Sequence, residues 1–317
     1  MLGYVVRRLI LAIPVFLAVS VITFSIMQLA PGDPAAILLG ADFIQFASEA
    51  DIQEARVLLG VDRPAVVQYL DWFTGFFRGD MGTSLFTGKS VAELVSTRVE
   101  TTLSLVAMAL VLATVFGLPL GVIAAWKANT AIDRGIMIFA VIGYAMPGFW
   151  LAFNLIWLFA VILGWFPVFG VVPFFQDPVE FLRHMTLPAI AVSTTFIALI
   201  SRMTRSSMLE VLREDYVRTA RAKGLSERVV LIRHALKAAA MPVVTVLGLV
   251  FAAAITGAVL TEVVFALPGM GRLFVDSVSN RDFPVIQGLM MIFAGSYVFV
   301  NLAVDIGYAY IDPRVRY

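Results

Sequence analysis

Cysteine is absent from the chain. No disulfide, thiolate metal site or cysteine nucleophile is therefore available. Histidine is nearly absent: His184 and His234 lie too far apart for a local metal-ligand motif, and each is expected as an interfacial polar residue. Neither a His-Glu-x-x-His nor a Gly-x-Ser-x-Gly motif occurs, so a membrane enzyme has no support. Charge is scarce, at 14% of residues against about 25% in a soluble domain. Apolar residues fill the gap, at 60% of the 317 positions against roughly 45–50%. These proportions are those of an integral membrane protein.

One stretch imitates a nucleotide site. Gly82-Thr83-Ser84-Leu85-Phe86-Thr87-Gly88-Lys89-Ser90 ends like a phosphate loop, but five residues separate its glycines where the loop requires four. No buried β-branched strand precedes it, and such a strand is needed to aim the backbone N–H groups at phosphate. Lys89 and Ser90 are read instead as the start of a short helix over 91–99.

About 20 apolar residues cross the hydrocarbon as a helix. Six spans are expected, over residues 9–29, 101–125, 135–163, 187–200 (running on toward Ser206), 238–264 and 285–308. Pro31-Gly32-Asp33-Pro34 should end the first, and Pro147-Gly148 should kink the third. Charge sets the parity. Residues 202–237 carry nine bases against four acids, the loop 126–134 carries Lys127 and Arg134, and the tail carries Arg314 and Arg316. By the positive-inside rule these segments, with Arg7 and Arg8, face the cytoplasm, as do both termini.

Residues 31–100 then face outward, with ten acids and five bases, and the phosphate-loop imitation lies on the side away from cytoplasmic ATP. Ser48 is an N-cap for a helix ended by Gly60. Residues 64–77 read as an amphipathic helix with Val66, Val67, Leu70, Phe73 and Phe77 on one face. The expected organisation is a first span (1–30), an extracytoplasmic helical segment (31–100) and a core of five spans (101–317) with a cytoplasmic loop at 207–237.

That loop contains Asp215-Tyr216-Val217-Arg218-Thr219-Ala220-Arg221-Ala222-Lys223-Gly224-Leu225-Ser226-Glu227. A helix is expected to Lys223, a left-handed cap at Gly224, and a second helix N-capped by Ser226. Small residues at Thr219, Ala220 and Ala222 allow close approach by a partner, and Arg218, Arg221 and Lys223 suit an acidic groove.

This run resembles the loop that permeases of ABC importers insert into their ATPases, of pattern E-A-A-x-x-x-G. Gly224 matches the glycine and Ala220 the second alanine; Arg218 and Thr219 stand where the pattern has Glu and Ala. Further likeness to dipeptide and oligopeptide permeases lies in the N-terminal run from Arg7 to Pro34 and in Leu59-Gly60-Val61-Asp62-Arg63-Pro64. It continues in Gly79-Asp80-Met81-Gly82-Thr83-Ser84, Met146-Pro147-Gly148-Phe149-Trp150-Leu151, Glu262-Val263-Val264-Phe265, Pro268-Gly269-Met270-Gly271, Arg281-Asp282-Phe283-Pro284 and Asp312-Pro313-Arg314. The resemblance is to the B-type permease subunit of a dipeptide/oligopeptide ABC importer. It implies an all-α type I importer fold of six transmembrane helices with a small extracytoplasmic helical cap, in the inner membrane.

The resemblance further implies a second homologous permease, two cytoplasmic ATPases, an extracytoplasmic substrate-binding protein and a peptide substrate, with lipid around the chain and no nucleic acid. It implies no cofactor bound by this chain, since ATP and Mg belong to the ATPases. Contact with them falls to Tyr216, Arg218, Thr219, Ala220, Arg221, Ala222, Lys223, Gly224 and Leu225.

Polar residues within spans are expected toward a pathway rather than lipid: Asn154, Thr195, Thr256, Gln287, Asn301 and Asp305. Helix–helix contact is the alternative for these. Glu262 could bind a peptide amine or cap the turn that follows it. Residues 267–275 suggest a short re-entrant helix at an outer gate. Two other readings stand beside peptide import. One is a permease of the same family for nickel or a glutathione-like cargo. The other is an ion-coupled transporter, which would need deep acids and often an internal repeat; Asp305 is the single acid placed for that, and no repeat is evident.

Overall fold

The computed structural model describes residues 2–29, 35, 39 and 48–311. The Pro31–Pro34 turn, the tail from Asp312 onward with Arg314 and Arg316, and the Asp305 side chain lie outside the described residues. Helices account for nearly all of the rest: α1 (Leu2–Leu29), α2 (Glu49–Leu59), α3 (Ala65–Phe77), α4 (Val91–Trp126), α5 (Ala131–Ala145), α6 (Gly148–Leu155, running on as a π-helix over Ile156–Ile162), α7 (Pro178–Val211), α8 (Asp215–Ala222), α9 (Glu227–Val229, running on as a π-helix over Val230–Leu236), α10 (Ala240–Val264), α11 (Met270–Ser279) and α12 (Phe283–Ile311). Among the described residues, five helices are long and apolar enough to cross a membrane, or six where α5 and α6 count as one broken span.

Three expectations require correction. The third span is not a kinked rod: α5 and α6 meet at 101°. Pro147 supplies no N–H and disfavours the helical region for Met146 before it, and Met146 is extended (φ −75°, ψ 125°). The chain therefore leaves the helix at Ala145 and restarts at Gly148. Second, residues 91–99 and the span after them form one helix, α4, of 36 residues. Its mixed first turns, with Glu93, Arg98 and Glu100, carry the helix on beyond its apolar run. Third, α7 runs from Pro178, well before 187. Asp177 accepts from the N–H groups of Val179 (2.9 Å) and Glu180 (3.1 Å), and Pro178 occupies the first turn, where no N–H is needed.

The core lies where α4 and α7 pack, with α10 against both. Glycine lets them close. A Cβ on Gly121 would sit 2.5 Å from the Cβ of Thr204, and one on Gly117 2.9 Å from Ile200. α12 packs on α1 and on α10.

Between α1 and α4, Ser48 and Asp51 form the reciprocal capping box of α2, and Gly60 closes it at φ +66°. The Ser48 hydroxyl and N–H hold the Asp51 carboxyl below its ordinary pKa. In α3 the expected apolar face is packed only through its rings: Val66 and Leu70 are more than half exposed, whereas Phe73 and Phe77 make ring contacts. Its contacts run instead through aromatic rings, with Tyr69 and Trp72 on Phe24 and with Phe76 and Phe77 on Phe16. Tyr69 also shares a hydrogen bond with Ser20 (2.8 Å). Rings reach across to α1 where shorter Val and Leu side chains do not.

Candidate functional site

The 215–236 segment is built from two short helices that could not stand alone, since isolated helices under about 12–15 residues are marginal. Val217 and Val230 are fully buried and pack with Ala220 on Val211 and Leu212, at the end of α7. Burying each valine is worth about 1.5–3 kcal/mol, more than the exposed Arg218–Asp215 pair (3.2 Å) can supply, at roughly 0–1 kcal/mol. The turn between the helices is crossed by Arg221, which donates from Nε to Glu227 Oε1 (2.8 Å) and from Nη2 to Oε2 (3.4 Å).

Gly224 lies inside this clasp at φ +78°, in the left-handed region, and a Cβ there would meet nothing within 4 Å. Ser226 departs from expectation: its side chain makes no cap bond. Its carbonyl instead accepts from the N–H groups of Val229 (2.9 Å) and Val230 (3.0 Å). Around the turn Tyr216, Arg218, Thr219, Arg221, Ala222, Lys223, Gly224 and Leu225 are exposed, and Ala220 is buried. Partial burial, then the Glu214 carboxylate, hold the Tyr216 phenol above its ordinary pKa. The segment thus presents an exposed, small-residue turn flanked by bases and anchored by buried valines. Sequence reasoning missed Val217 and Val230 as its anchors, although their apolar character inside a charged run was a usable signal.

The polar residues expected along a pathway do not converge on one site. Asn154 donates to the Trp150 carbonyl (2.7 Å) and the exposed Thr256 to that of Ala253 (3.0 Å), each within its own helix. Thr195 and Asn301 are half-buried on α7 and α12. Gln287 lines a cavity of about 950 Å³ between α1, α2, α3 and the start of α12, together with Arg56, Gln68, Asp71 and Asp80.

Glu262 is fully buried. Its Oε1 accepts from the Thr102 hydroxyl (2.6 Å) and its Oε2 from the Arg272 N–H (3.0 Å), while Thr102 accepts from the Met270 N–H (2.8 Å). Of the two roles open to it, the geometry is that of a cap: the carboxyl closes the N-terminus of α11. Close approach explains the Pro-Gly-Met-Gly run, because a Cβ on Gly269 would fall 2.2 Å from the Glu262 carboxyl.

The phosphate-loop imitation is a closed turn. Ser84 N–H donates to the Lys89 carbonyl (2.9 Å) and Gly88 N–H to that of Ser84 (3.0 Å). Buried Asp282 accepts from the Ser84 hydroxyl and from the Leu85 N–H (3.0 Å), pinning the turn to the α11–α12 junction. Lys89 points to Glu93 (3.8 Å) and is largely exposed. Lys89→Ala is expected to be without effect on the chain's function, and nucleotide binding by this chain, lost in the variant, would reverse the reading of a closed turn.

Comparison with known proteins agrees with this architecture. Residues 117–317 match the model of the binding-protein-dependent transport system inner membrane component, and residues 1–106 that of its N-terminal region. The chain is 44% identical to a probable peptide ABC transporter permease of Sinorhizobium fredii, covering 99% of each chain. It is 41% identical to the dipeptide transport system permease DppB of Alkalihalophilus pseudofirmus and 41% to the oligopeptide transport system permease AppB of Bacillus subtilis, each covered in full. Among solved structures it resembles an inward-facing conformation of the MetNI methionine ABC transporter, with TM-score 0.57 and 17% identity over 69% of this chain and 96% of that one. The fold is thus that of a type I ABC importer permease, and the chain belongs to the family of binding-protein-dependent transport system inner membrane components.

Proposed function

We propose that this chain is the transmembrane permease subunit of an ATP-driven importer of di- and oligopeptides. The observation that carries this reading is end-to-end similarity to relatives named as peptide, dipeptide and oligopeptide permeases. The chain forms half of a translocation pathway, with a second homologous permease as the other half. Two cytoplasmic ATPases bind ATP and Mg, and an extracytoplasmic binding protein delivers peptide. The exposed Gly224 turn enters one ATPase, with Tyr216, Arg218, Thr219, Arg221, Ala222, Lys223 and Leu225 around it and Ala220 packed beneath. Closure of the ATPases on ATP then moves α8 and α9, and the spans alternate between inward-open and outward-open arrangements, each favoured by one ligand.

With α5 and α6 counted as one broken span, both termini face the cytoplasm and the outer cavity at Gln287 faces the binding protein. Thr256, Thr195, Asn154, Asn301 and Asp305 remain the candidates for the pathway wall, with Glu262 serving the outer helix next to it. Reconstitution of the chain with its partner permease, ATPases and binding protein in liposomes tests this reading. Peptide uptake that requires ATP and the binding protein is expected; uptake by this chain alone, driven by an ion gradient, would refute it.

A further inference from the structure

Asp133 lies in the first turn of α5 and is 2% exposed. Arg205, on α7, donates to it from two nitrogens, Nε to Oδ1 at 2.6 Å and Nη2 to Oδ2 at 2.7 Å. The Asn129 N–H donates to the same carboxylate (2.9 Å) from a left-handed backbone (φ +65°). The α4–α5 connection, the base of α5 and α7 are thereby tied at one point. Composition alone assigned Arg205 to the general excess of bases, and the structure gives it a single specific partner.

The position of this tie matters. From Arg205, α7 continues only to Val211 before the chain enters α8. Val211 and Leu212 form the apolar seat of α8, and Met208, one turn above them, packs with Leu231 and Ala235 of the following π-helix. The end of α7 and the Gly224 turn are thus one packed unit. α5 touches that unit through no residue of the two clusters that hold it. Its ion pair with α7 at this level is the Asp133–Arg205 fork; elsewhere along α7 the Arg202 guanidinium lies over the Tyr144 ring (5.9 Å) and Gly143 approaches Thr194 and Ala198.

A two-pronged guanidinium–carboxylate bond fixes orientation as well as distance, so α5 cannot rotate on α7 without breaking both bonds. An apolar contact would allow sliding. Stability does not call for such a pair, because replacing a buried ion pair by apolar residues of similar volume is often neutral or stabilising.

We infer that Asp133 and Arg205 are a positioning pair that conveys displacement of the Gly224 turn from α7 to α5 and hence to the bent α5–α6 span. The inference rests on the importer reading above. Its test uses the reconstituted full complex and measures peptide taken up per ATP hydrolysed. The Asp133→Leu/Arg205→Met variant removes both charges together and strands neither charge, although the Asn129 N–H loses its acceptor, so it is expected to assemble, with uptake and hydrolysis compared per assembled complex. ATP hydrolysis should persist, and uptake per ATP should fall by about tenfold.

Arg205→Lys keeps the charge and loses the fork; it should show the same direction of change and serves where the double variant yields little complex. A wild-type ratio of uptake to hydrolysis in either assembled variant would overturn the inference, since a purely stabilising pair alters the amount of complex and not its coupling. Absence of ATP-dependent uptake in the wild-type complex would instead overturn the importer reading itself.

Discussion

Gly224→Asp is expected to abolish ATP-driven uptake while the chain still inserts, folds and is recovered in the membrane. The residue adopts φ +78°, and a Cβ there meets nothing within 4 Å. The chain's own cost is therefore confined to backbone strain, about 1–2 kcal/mol for a non-glycine residue, less for Asp and Asn. Val217 and Val230, each fully buried, hold the two helices regardless. The larger effect lies outside the chain, because the turn is the exposed point of a basic, small-residue surface. A carboxylate placed there alters both shape and charge at the centre of the proposed contact. Central contacts of this kind commonly cost 2 kcal/mol or more when disrupted, so uptake should fall by at least about 30-fold. Gly224→Asn separates the causes: it tolerates the left-handed backbone and brings bulk without charge, so its loss should be smaller. Normal uptake by the Asp variant, in a complex that still retains its ATPases, would remove the turn from the coupling contact.

Loss of the Glu262 carboxyl should instead destabilise the chain itself. Glu262→Ala leaves the Arg272 N–H and the Thr102 hydroxyl without their acceptor in a buried site. Each orphaned group costs about 1–3 kcal/mol, and the vacated volume adds to that. Glu262→Gln should do less harm, since one oxygen still accepts while the amide NH2 confronts a donor. Gly269→Ala should match the Ala variant by another route: its Cβ would collide with the carboxyl at 2.2 Å. All three predict a lower midpoint of thermal unfolding in detergent, with Glu262→Gln the mildest. A role in binding a peptide amine predicts the opposite pattern, with weaker peptide uptake at an unchanged midpoint. The two measurements together therefore distinguish the cap from a cargo contact.

The long helices were legible because their determinants are local. An apolar run of sufficient length must satisfy its own backbone in lipid and becomes a helix, which placed α1, α4, α7, α10 and α12 to within their ends. Caps were legible for the same reason. Ser48, Gly60 and Gly224 act on backbone groups within a few residues, and the structure has each at the expected turn, while Ser226 occupies its cap position without the side-chain bond. The boundaries were less so. The first turns of α4 carry mixed charge and reveal nothing of the helix they extend, and α7 begins in polar sequence that only the Asp177–Pro178 start makes helical.

The phosphate-loop imitation marks where local reading ends. Its spacing excluded a nucleotide site, yet its actual use depends on Asp282, nearly 200 residues away. Three more pairings were of that kind: Glu262 with Thr102, Arg205 with Asp133, and the aromatic face of α3 with α1. Each joins residues from different helices, and no periodicity along one helix encodes which neighbour it will meet. By itself the sequence determined the membrane class, the apolar runs of the spans, the uneven distribution of charge between their connections and the glycine turn at 224. Only the tertiary structure decided how the third span bends and which buried carboxylates hold helices together. That division has a physical reason: the solvation of an apolar run and the capping of a helix end act within a turn or two, whereas packing and buried ion pairs exist only once distant segments have come together.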